Sequence, residues 1–128
     1  MDIQLSPEQT KLRGEVRSYM NALMTPALIE EGKVPEFSEG GGPEHRKQFA
    51  KMGADGWIGV SWPEEWGGKN WTTMEQYIFT EEVIRAGFQY PFLTTEAIAP
   101  VLMEHGNDRV RDEVVGGIRK GEVAIAIG

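Results

Sequence analysis

Apolar residues recur at helical spacing in the first part of the chain. Leu12, Val16, Met20 and Leu23 lie four or three positions apart, with mostly polar residues between them. This one-sided pattern is typical of an amphipathic helix. Residues 6–9 add a serine, a proline and a glutamine in the order of a capping box, a common helix start. The pattern predicts a first helix that begins there and buries its apolar stripe.

Four further helices follow from the same periodicity and from residues that begin or end helices. A stretch containing Pro35 and three successive glycines at 40–42 separates the first two and predicts an irregular, mobile connection. Pro100 predicts either a kink in the fourth helix or its true start. The predicted helices after the first are 43–54, 73–86, 94–106 and 108–120.

Residues 57–68 combine large aromatic side chains with turn formers. Trp57, Trp62 and Trp66 alternate there with glycines and a proline. Indoles bury a large apolar area, whereas glycine and proline let the backbone turn. We therefore expect an ordered loop at this position, and not a flexible linker.

Residues 123–127 are apolar and rich in β-branched side chains, which predicts a strand. No other segment alternates convincingly as its partner, and a lone strand leaves its backbone groups unpaired. The predicted fold class is therefore all-α: an orthogonal bundle of about five helices that ends in the first strand of a missing β-domain. We expect a helical domain over residues 1–122 and the start of a truncated β-domain over 123–128.

Composition narrows the classes of partner. The chain has 128 residues, 40% hydrophobic and 26% charged, which is the balance of one folded soluble domain. Its formal net charge of −7 disfavours nucleic acid as a partner. No run reaches the ~18 to 20 apolar residues of a membrane span, and residues 1–4 lack a basic leader region. We expect a cytoplasmic protein.

Few residues suggest chemistry by themselves. The chain has no cysteine, so it has no disulfide or thiolate metal site. His45 and His105 lie far apart in sequence and are expected at the surface, with no metal or triad spacing. The acid pairs at 64–65 and 81–82 are expected to be solvated. We therefore predict no catalytic residue and no metal ligand.

The order of motifs resembles the amino-terminal helical domain of acyl-CoA dehydrogenases. The opening Leu-Ser-Pro-Glu-Gln helix is followed by the segment Gly56-Trp-Ile-Gly-Val-x-Trp-Pro-Glu-Glu-Trp-Gly-Gly68, the most specific piece. Glu-Glu at 81–82, Gly-Asn-Asp at 106–108 and the segment 121–128 continue in family order. The Trp-Pro-Glu-Glu-Trp-Gly-Gly form and the Ala-Ile-Gly ending resemble actinobacterial members that act on steroid-CoA esters.

The resemblance implies an FAD-dependent enzyme that oxidises an acyl-CoA or steroid-CoA thioester to the 2,3-enoyl-CoA. It also implies an electron-transfer flavoprotein-like acceptor and a homo- or hetero-oligomer of family members. In this family the catalytic base and most of the flavin site lie in later segments. This sequence is therefore expected to end just before them and to be inactive alone.

The resemblance also assigns candidate site residues. The segment after Pro91 aligns with the helix that lines the acyl pocket, and Ile127 and Gly128 align with the edge of the strand that contacts FAD. An alternative reading makes Phe92 and Ala97 core contacts and Glu96 an acid favoured by the helix dipole. The predicted substrate-binding residues, which share one face by spacing, are Phe92, Leu93, Glu96, Ala97 and Pro100.

Two alternative functions stay open from the sequence. The chain could be a non-catalytic helical partner subunit that completes the substrate pocket of a heteromeric dehydrogenase. It could also be an unrelated helical interaction protein, which its acidic charge and apolar stripes would permit. The tryptophan-rich loop favours the dehydrogenase reading.

Overall fold

The computed structural model describes residues 4–128. Residues 1–3, which belong to the predicted helical domain and to the segment without a basic leader region, lie outside the described part. Within it the chain forms six α-helices. Two π-helical segments, Leu93–Ile98 and Val110–Val115, run directly into the fifth and sixth. The helices are α1 (Pro7–Leu23), α2 (Pro26–Gly32), α3 (Pro43–Ala54), α4 (Thr73–Ala86), α5 (Ala99–His105) and α6 (Gly116–Arg119).

Side-chain caps fix where the long helices begin. In α1 the Gln9 N–H donates to Ser6 Oγ at 3.1 Å and the Ser6 N–H donates to Gln9 Oε1 at 2.9 Å, so the predicted capping box is confirmed. In α4 the Glu75 N–H donates to Thr72 Oγ1 at 3.3 Å, and Gly87 ends the helix in the left-handed region. These groups satisfy donors that a helix end would leave unpaired. The predicted bounds of α3 and α4 are confirmed.

The segment between α1 and α3 is more ordered than predicted. Pro26 begins α2, because proline suits the first helical position, and Thr25 Oγ1 accepts from the Leu28 N–H at 3.2 Å. The predicted irregular stretch contains the short 3₁₀ turn Pro35–Phe37. Glu31 also holds the start of α3, since its two carboxylate oxygens accept from the Glu44 and His45 N–H groups.

Helix α1 packs lengthwise against α4 and supplies much of the core. An ion pair joins the same two helices: the Arg17 guanidinium donates to both oxygens of Glu82, at 2.9 and 2.7 Å. The Glu82 side chain is only 2% exposed, so the prediction that it is solvated is wrong. Glu81 pairs with Arg13 at 3.1 Å and stays partly exposed.

The carboxyl-terminal stretch carries no regular secondary structure. No strand pairs with it among residues 4–128, so the strand predicted at 123–127 is not formed within this chain. It is tied instead to the first π-helical segment: the Ile125 N–H donates to Thr94 Oγ1 at 2.9 Å, and the Thr94 hydroxyl lies 3.2 Å from the Ile125 carbonyl oxygen. The all-α class is confirmed. No helix in the described part is long and apolar enough to cross a bilayer.

Candidate functional site

The predicted substrate-binding residues lie on the π-helical segment and the start of α5. Leu93, Ala97 and Pro100 face outward, and Leu93 is 42% exposed. Phe92 and Glu96 are half-buried, so only part of the set lies on one open face. Val101, which the sequence reasoning did not include, adds a side chain that is 56% exposed. Together, Leu93, Ala97, Pro100 and Val101 form an exposed apolar strip, which we call the outer strip.

The opposite face of this segment is anchored to the domain. Thr94 and Thr95 are fully buried although both are polar. Trp62 Nε1 donates to the Thr95 carbonyl oxygen at 2.8 Å, and Thr94 holds the carboxyl-terminal stretch through Ile125. Buried polar groups are stabilised when they are hydrogen-bonded in this way. The segment is therefore held from both sides, which fixes the direction in which the outer strip faces.

The tryptophan-rich loop folds tightly around Trp62. Gly59 has a φ of +69°, and a Cβ atom there would collide with the Trp62 indole. A Cβ atom at Gly68 would collide with the Trp62 carbonyl group. Glycine is the residue that permits both the left-handed backbone and the close approach. The loop is ordered, as predicted, and it delivers the indole N–H to Thr95.

A small polar cluster lies beneath the segment. The Ser61 hydroxyl donates to Glu96 Oε2 at 3.1 Å. Glu96 Oε1 and the Tyr90 hydroxyl are buried, and neither has a hydrogen-bond partner among the described residues. Burial raises the pKa of Glu96, and the hydrogen bond from Ser61 opposes this shift. Burial likewise raises the pKa of Tyr90.

The cluster can exchange hydrogen bonds and a proton. A carboxyl group with a raised pKa takes up a proton more readily and then donates a hydrogen bond. The sequence reasoning missed Ser61, Tyr90 and the Thr94-Thr95 pair. Their signal was weak: a polar residue between Val60 and Trp62, and two polar residues after Pro91 where a buried helix face would ordinarily be apolar.

The predicted cofactor-binding residues lie at the open end of the carboxyl-terminal stretch. Ile127 is 76% exposed, and Gly128 has nothing within 4 Å of an added Cβ atom. Within this chain, therefore, nothing requires a glycine at position 128. Because Ile125 is bonded to Thr94, the stretch runs along the anchored face of the 92–100 segment, opposite the outer strip. The exposed end could supply contacts to a flavin, but the described residues do not form a cradle around one.

The two histidines differ in their surroundings. His105 is exposed, as predicted, with 71% of its side chain accessible. His45 is only 9% exposed, so the prediction that it lies at the surface is wrong. It is buried because both ring nitrogens find backbone partners and the ring stacks on Phe88. Among residues 4–128 no three His, Asp or Glu side chains come together as a metal site.

Comparisons with known proteins agree with this fold. The family described as acyl-CoA dehydrogenase, N-terminal domain, matches residues 6–122. Two curated proteins of Mycobacterium tuberculosis are similar over the full chain: acyl-CoA dehydrogenase FadE26 at 39% identity and acyl-CoA dehydrogenase FadE29 at 36%. The chain spans 32% of the length of each.

Solved structures give the same result. The ChsE4-ChsE5 complex from Mycobacterium tuberculosis matches 96% of this chain and 30% of its own chain, with a TM-score of 0.84 and 37% identity. A structure described as the Tcur3481-Tcur3483 steroid ACAD matches 97% of this chain and 32% of its own, with a TM-score of 0.82 and 36% identity. An unrelated helical interaction protein is thereby excluded. The chain belongs to the acyl-CoA dehydrogenase family, in which it corresponds to the N-terminal helical domain.

Proposed function

We propose that this chain is the amino-terminal part of an FAD-dependent acyl-CoA dehydrogenase that oxidises an acyl-CoA thioester to the 2,3-enoyl-CoA. In this proposal the outer strip forms one wall of the acyl pocket. The observation that carries it is the contrast between the two faces of the 92–100 segment. One face is apolar and exposed, whereas the other is anchored by hydrogen bonds to the tryptophan-rich loop and the carboxyl-terminal stretch.

The residues of this chain would bind and orient the substrate. The outer strip offers apolar surface to the acyl group and excludes water from it. The anchored inner face keeps that surface in place, which lowers the cost of ordering it on binding. Glu96 Oε1, which has no hydrogen-bond partner among the described residues, would bond to a polar group on the acyl moiety. FAD, when bound, would accept the hydride, and Ile127 and Gly128 would contact it.

The proposed substrate class is a steroid-CoA thioester, and the proposed partners are further chains of the same family. The family match and the structure described as a steroid ACAD support this class. The ChsE4-ChsE5 complex supports assembly with a second family chain. We further propose that residues 123–128 lead into a flavin-binding β-domain and that an electron-transfer flavoprotein-like protein accepts the electrons. A cytoplasmic location stays a prediction.

The test uses the protein as its source cell makes it. The polypeptide that contains this chain is purified with any tightly bound chains, its intact mass is measured, and its visible flavin absorbance is recorded. We expect a mass well above 14.3 kDa and flavin bands that bleach when a saturated steroid-CoA thioester is added without oxygen. The product should be lighter than the substrate by two hydrogen atoms. Absence of flavin and of thioester oxidation would contradict the proposal.

A second candidate function is a helical partner chain that completes the pocket of another subunit. Two similar structures are described with paired names, which favours assembly with a second chain. The same purification separates the two functions. If the flavin and the catalytic base both belong to a co-purifying chain and this polypeptide has a mass of 14.3 kDa, the partner function is correct.

A further inference from the structure

His45 lies near the start of α3, between two surface clefts. One cleft, of about 410 Å³, is bounded by α2 and the end of α4. The other, of about 470 Å³, is bounded by residues 89–91 and by residues 121–126. Gly40, His45 and Gln89 line both clefts. The imidazole is therefore part of the partition between them, and its hydrogen bonds hold that partition together.

The two ring nitrogens of His45 have different partners. The Gly41 N–H donates to Nδ1 at 3.1 Å, so Nδ1 acts as an acceptor and carries no proton. Nε2 lies 2.7 Å from the Gln89 carbonyl oxygen, which can only accept, so Nε2 carries the proton and donates. Only the neutral ring in this tautomer satisfies both partners.

The ring has little freedom to turn. It stacks on Phe88 with the centroids 4.9 Å apart and the planes at 13°. Gly40, with a φ of +93°, comes so close that a Cβ atom there would lie 3.0 Å from Nε2. The surrounding groups therefore hold both hydrogen bonds in place, and neither can be replaced by a simple rotation of the imidazole.

The Gln89 end of this connection leads directly to the proposed pocket wall. Tyr90 follows Gln89, and its ring centroid lies 4.8 Å from that of Phe92. The Phe92 N–H also donates to the Tyr90 carbonyl oxygen at 2.8 Å. A movement of Gln89 would therefore move Tyr90 and Phe92, where the 92–100 segment begins.

We propose that His45 is a positioning residue whose neutral imidazole ties residues 40–41 to Gln89, and that its protonation releases this tie and shifts the start of the acyl-pocket wall. A proton taken from solvent onto Nδ1 would place two N–H donors against each other at Gly41. The acceptor would be lost, and residues 40–41 would separate from the ring. Only the link to acyl binding rests on the proposed function, because the hydrogen bonds of His45 to Gly41 and Gln89 lie entirely within this chain.

Charged groups surround the imidazole on several elements. Glu31, from α2, accepts from the backbone N–H groups of Glu44 and His45. The end of α4 contributes no charge to the first cleft, whereas the 89–91 turn contributes the buried Tyr90 phenol beside the second. The charged side chains that line the two clefts are Glu31, Lys33, Glu39, Arg46 and Glu122.

The test is an NMR titration of the 128-residue chain, carried out with His105→Asn so that His45 is the one remaining histidine. At neutral pH the ring nitrogen shifts should show a proton on Nε2. As the pH falls, the amide signals of Gly41 and Phe92 should move with the same midpoint as the ring. Relative to the intrinsic exchange rate at each pH, exchange of the Gly41 amide proton should become roughly five-fold faster, as expected when one hydrogen bond is lost.

Two variants at position 45 separate positioning from simple packing. His45→Asn has no titrating ring, so the Phe92 amide signal should not move with pH over the range in which it moves in the wild-type chain. His45→Phe keeps a ring against Phe88 but loses both hydrogen bonds, so that signal should be displaced at every pH. If this variant does not fold, the wild-type titration still decides. A proton on Nδ1 at neutral pH, or a ring that titrates while Gly41 and Phe92 stay fixed, overturns the proposal.

A kinetic measurement tests the link to acyl binding separately. In the flavoprotein that contains this chain, KM for the thioester should rise as His45 is protonated, while kcat changes little, and His45→Asn should remove that rise. Amide shifts without a change in KM overturn the link to the pocket. A protein that oxidises no thioester contradicts the proposed function but leaves the NMR result unaffected, so the two failures are distinguishable.

Discussion

At the scale of single residues, glycines in the tryptophan-rich loop decide whether Trp62 can be buried. Gly59→Ala adds a Cβ atom that collides with the indole, so we expect it to lower the free energy of unfolding by about 2 to 4 kcal/mol, from left-handed strain together with overpacking. Urea denaturation followed by tryptophan fluorescence measures this.

Gly56→Ala is the matched control for that variant. Gly56 has a φ of +81°, but nothing lies within 4 Å of an added Cβ atom. It should therefore cost only the strain of a left-handed backbone, about 1 kcal/mol. Equal losses at the two positions would show that the approach of Trp62 is not what requires a glycine at position 59.

Glu96 gives a prediction about pH. Its pKa is raised by burial in the folded state, so on raising the pH the unfolded chain releases this proton before the folded chain does. Stability should therefore fall as the pH rises from the ordinary Glu range through the raised pKa, and stay lower above it. Glu96→Gln removes this titration and keeps an acceptor for Ser61. Its Tm relative to that of wild type should rise as the pH is raised from the ordinary Glu range through the raised pKa.

The exposed Glu65 provides the comparison for this measurement. Glu65→Gln should leave the difference in Tm from wild type nearly constant over the same pH series, because this carboxyl group is not buried. If the difference in Tm between Glu96→Gln and wild type also stays constant with pH, burial does not raise the pKa of Glu96.

Residue identity alone could not predict which polar side chains are buried. Glu82 looks like any helix-surface acid in sequence, and its burial depends on Arg17, which lies 65 positions away. His45 likewise depends on Gln89, 44 positions away. Such pairs are created by tertiary packing, so they cannot be predicted from the spacing of residues along one helix. Apolar positions were easier, because Val16, Met20 and Leu23 repeat within one helix.

At the scale of elements, the α1–α4 pair depends on the buried ion pair. The hydrogen bonds from Arg17 hold the pKa of Glu82 below its usual range. The stability that this pair contributes is therefore present above the ordinary Glu pKa and is lost as the pH falls through the lowered pKa. Arg17→Ala should destabilise the chain at neutral pH and flatten its stability profile in acid, measured by urea denaturation at a series of pH values.

Arg109→Ala is the control, since Arg109 forms an exposed pair with Glu113 four residues away. Exposed pairs of this kind contribute little, whereas removing both hydrogen bonds to a buried carboxylate is costly, even with Arg13 and Arg85 still 3.7 and 3.8 Å from Glu82. We expect the loss at Arg17 to be at least roughly threefold larger at neutral pH. Similar losses in the two variants would mean that Glu82 is satisfied without Arg17.

Helices whose ends are marked by clear capping residues could be predicted from the sequence, whereas the π-helical segments could not. The bounds of α4 follow from Thr72 and Gly87, which begin and end it for clear physical reasons. Pro26 is ambiguous, because proline breaks a helix from inside and also begins one. The π-helical segments could not be predicted, since their change of register leaves no distinct pattern in the apolar spacing.

At the scale of the whole molecule, the fold class and family followed from the sequence, whereas the geometry of the candidate site did not. Resemblance selected the 92–100 segment, and the structure shows which of its side chains are open. Leu93, Ala97 and Pro100 face outward, but Phe92 and Glu96 are half-buried. These residues differ in exposure because long-range hydrogen bonds hold Thr94 and Thr95 on the buried face of the segment. The substrate and cofactor assignments stay predictions.

The measurement that tests the pocket wall most directly is photolabelling of the flavoprotein that contains this chain. The probe is a steroid-CoA thioester carrying a diazirine on its acyl moiety, and trypsin then releases residues 86–109 as one peptide, which contains the whole outer strip. We expect the label in that peptide, competed away by unlabelled thioester, reduced by Ala97→Trp and unchanged by Ala22→Trp on the exposed side of α1. Label found only in other peptides or in a partner chain would contradict the proposal that this segment walls the acyl pocket.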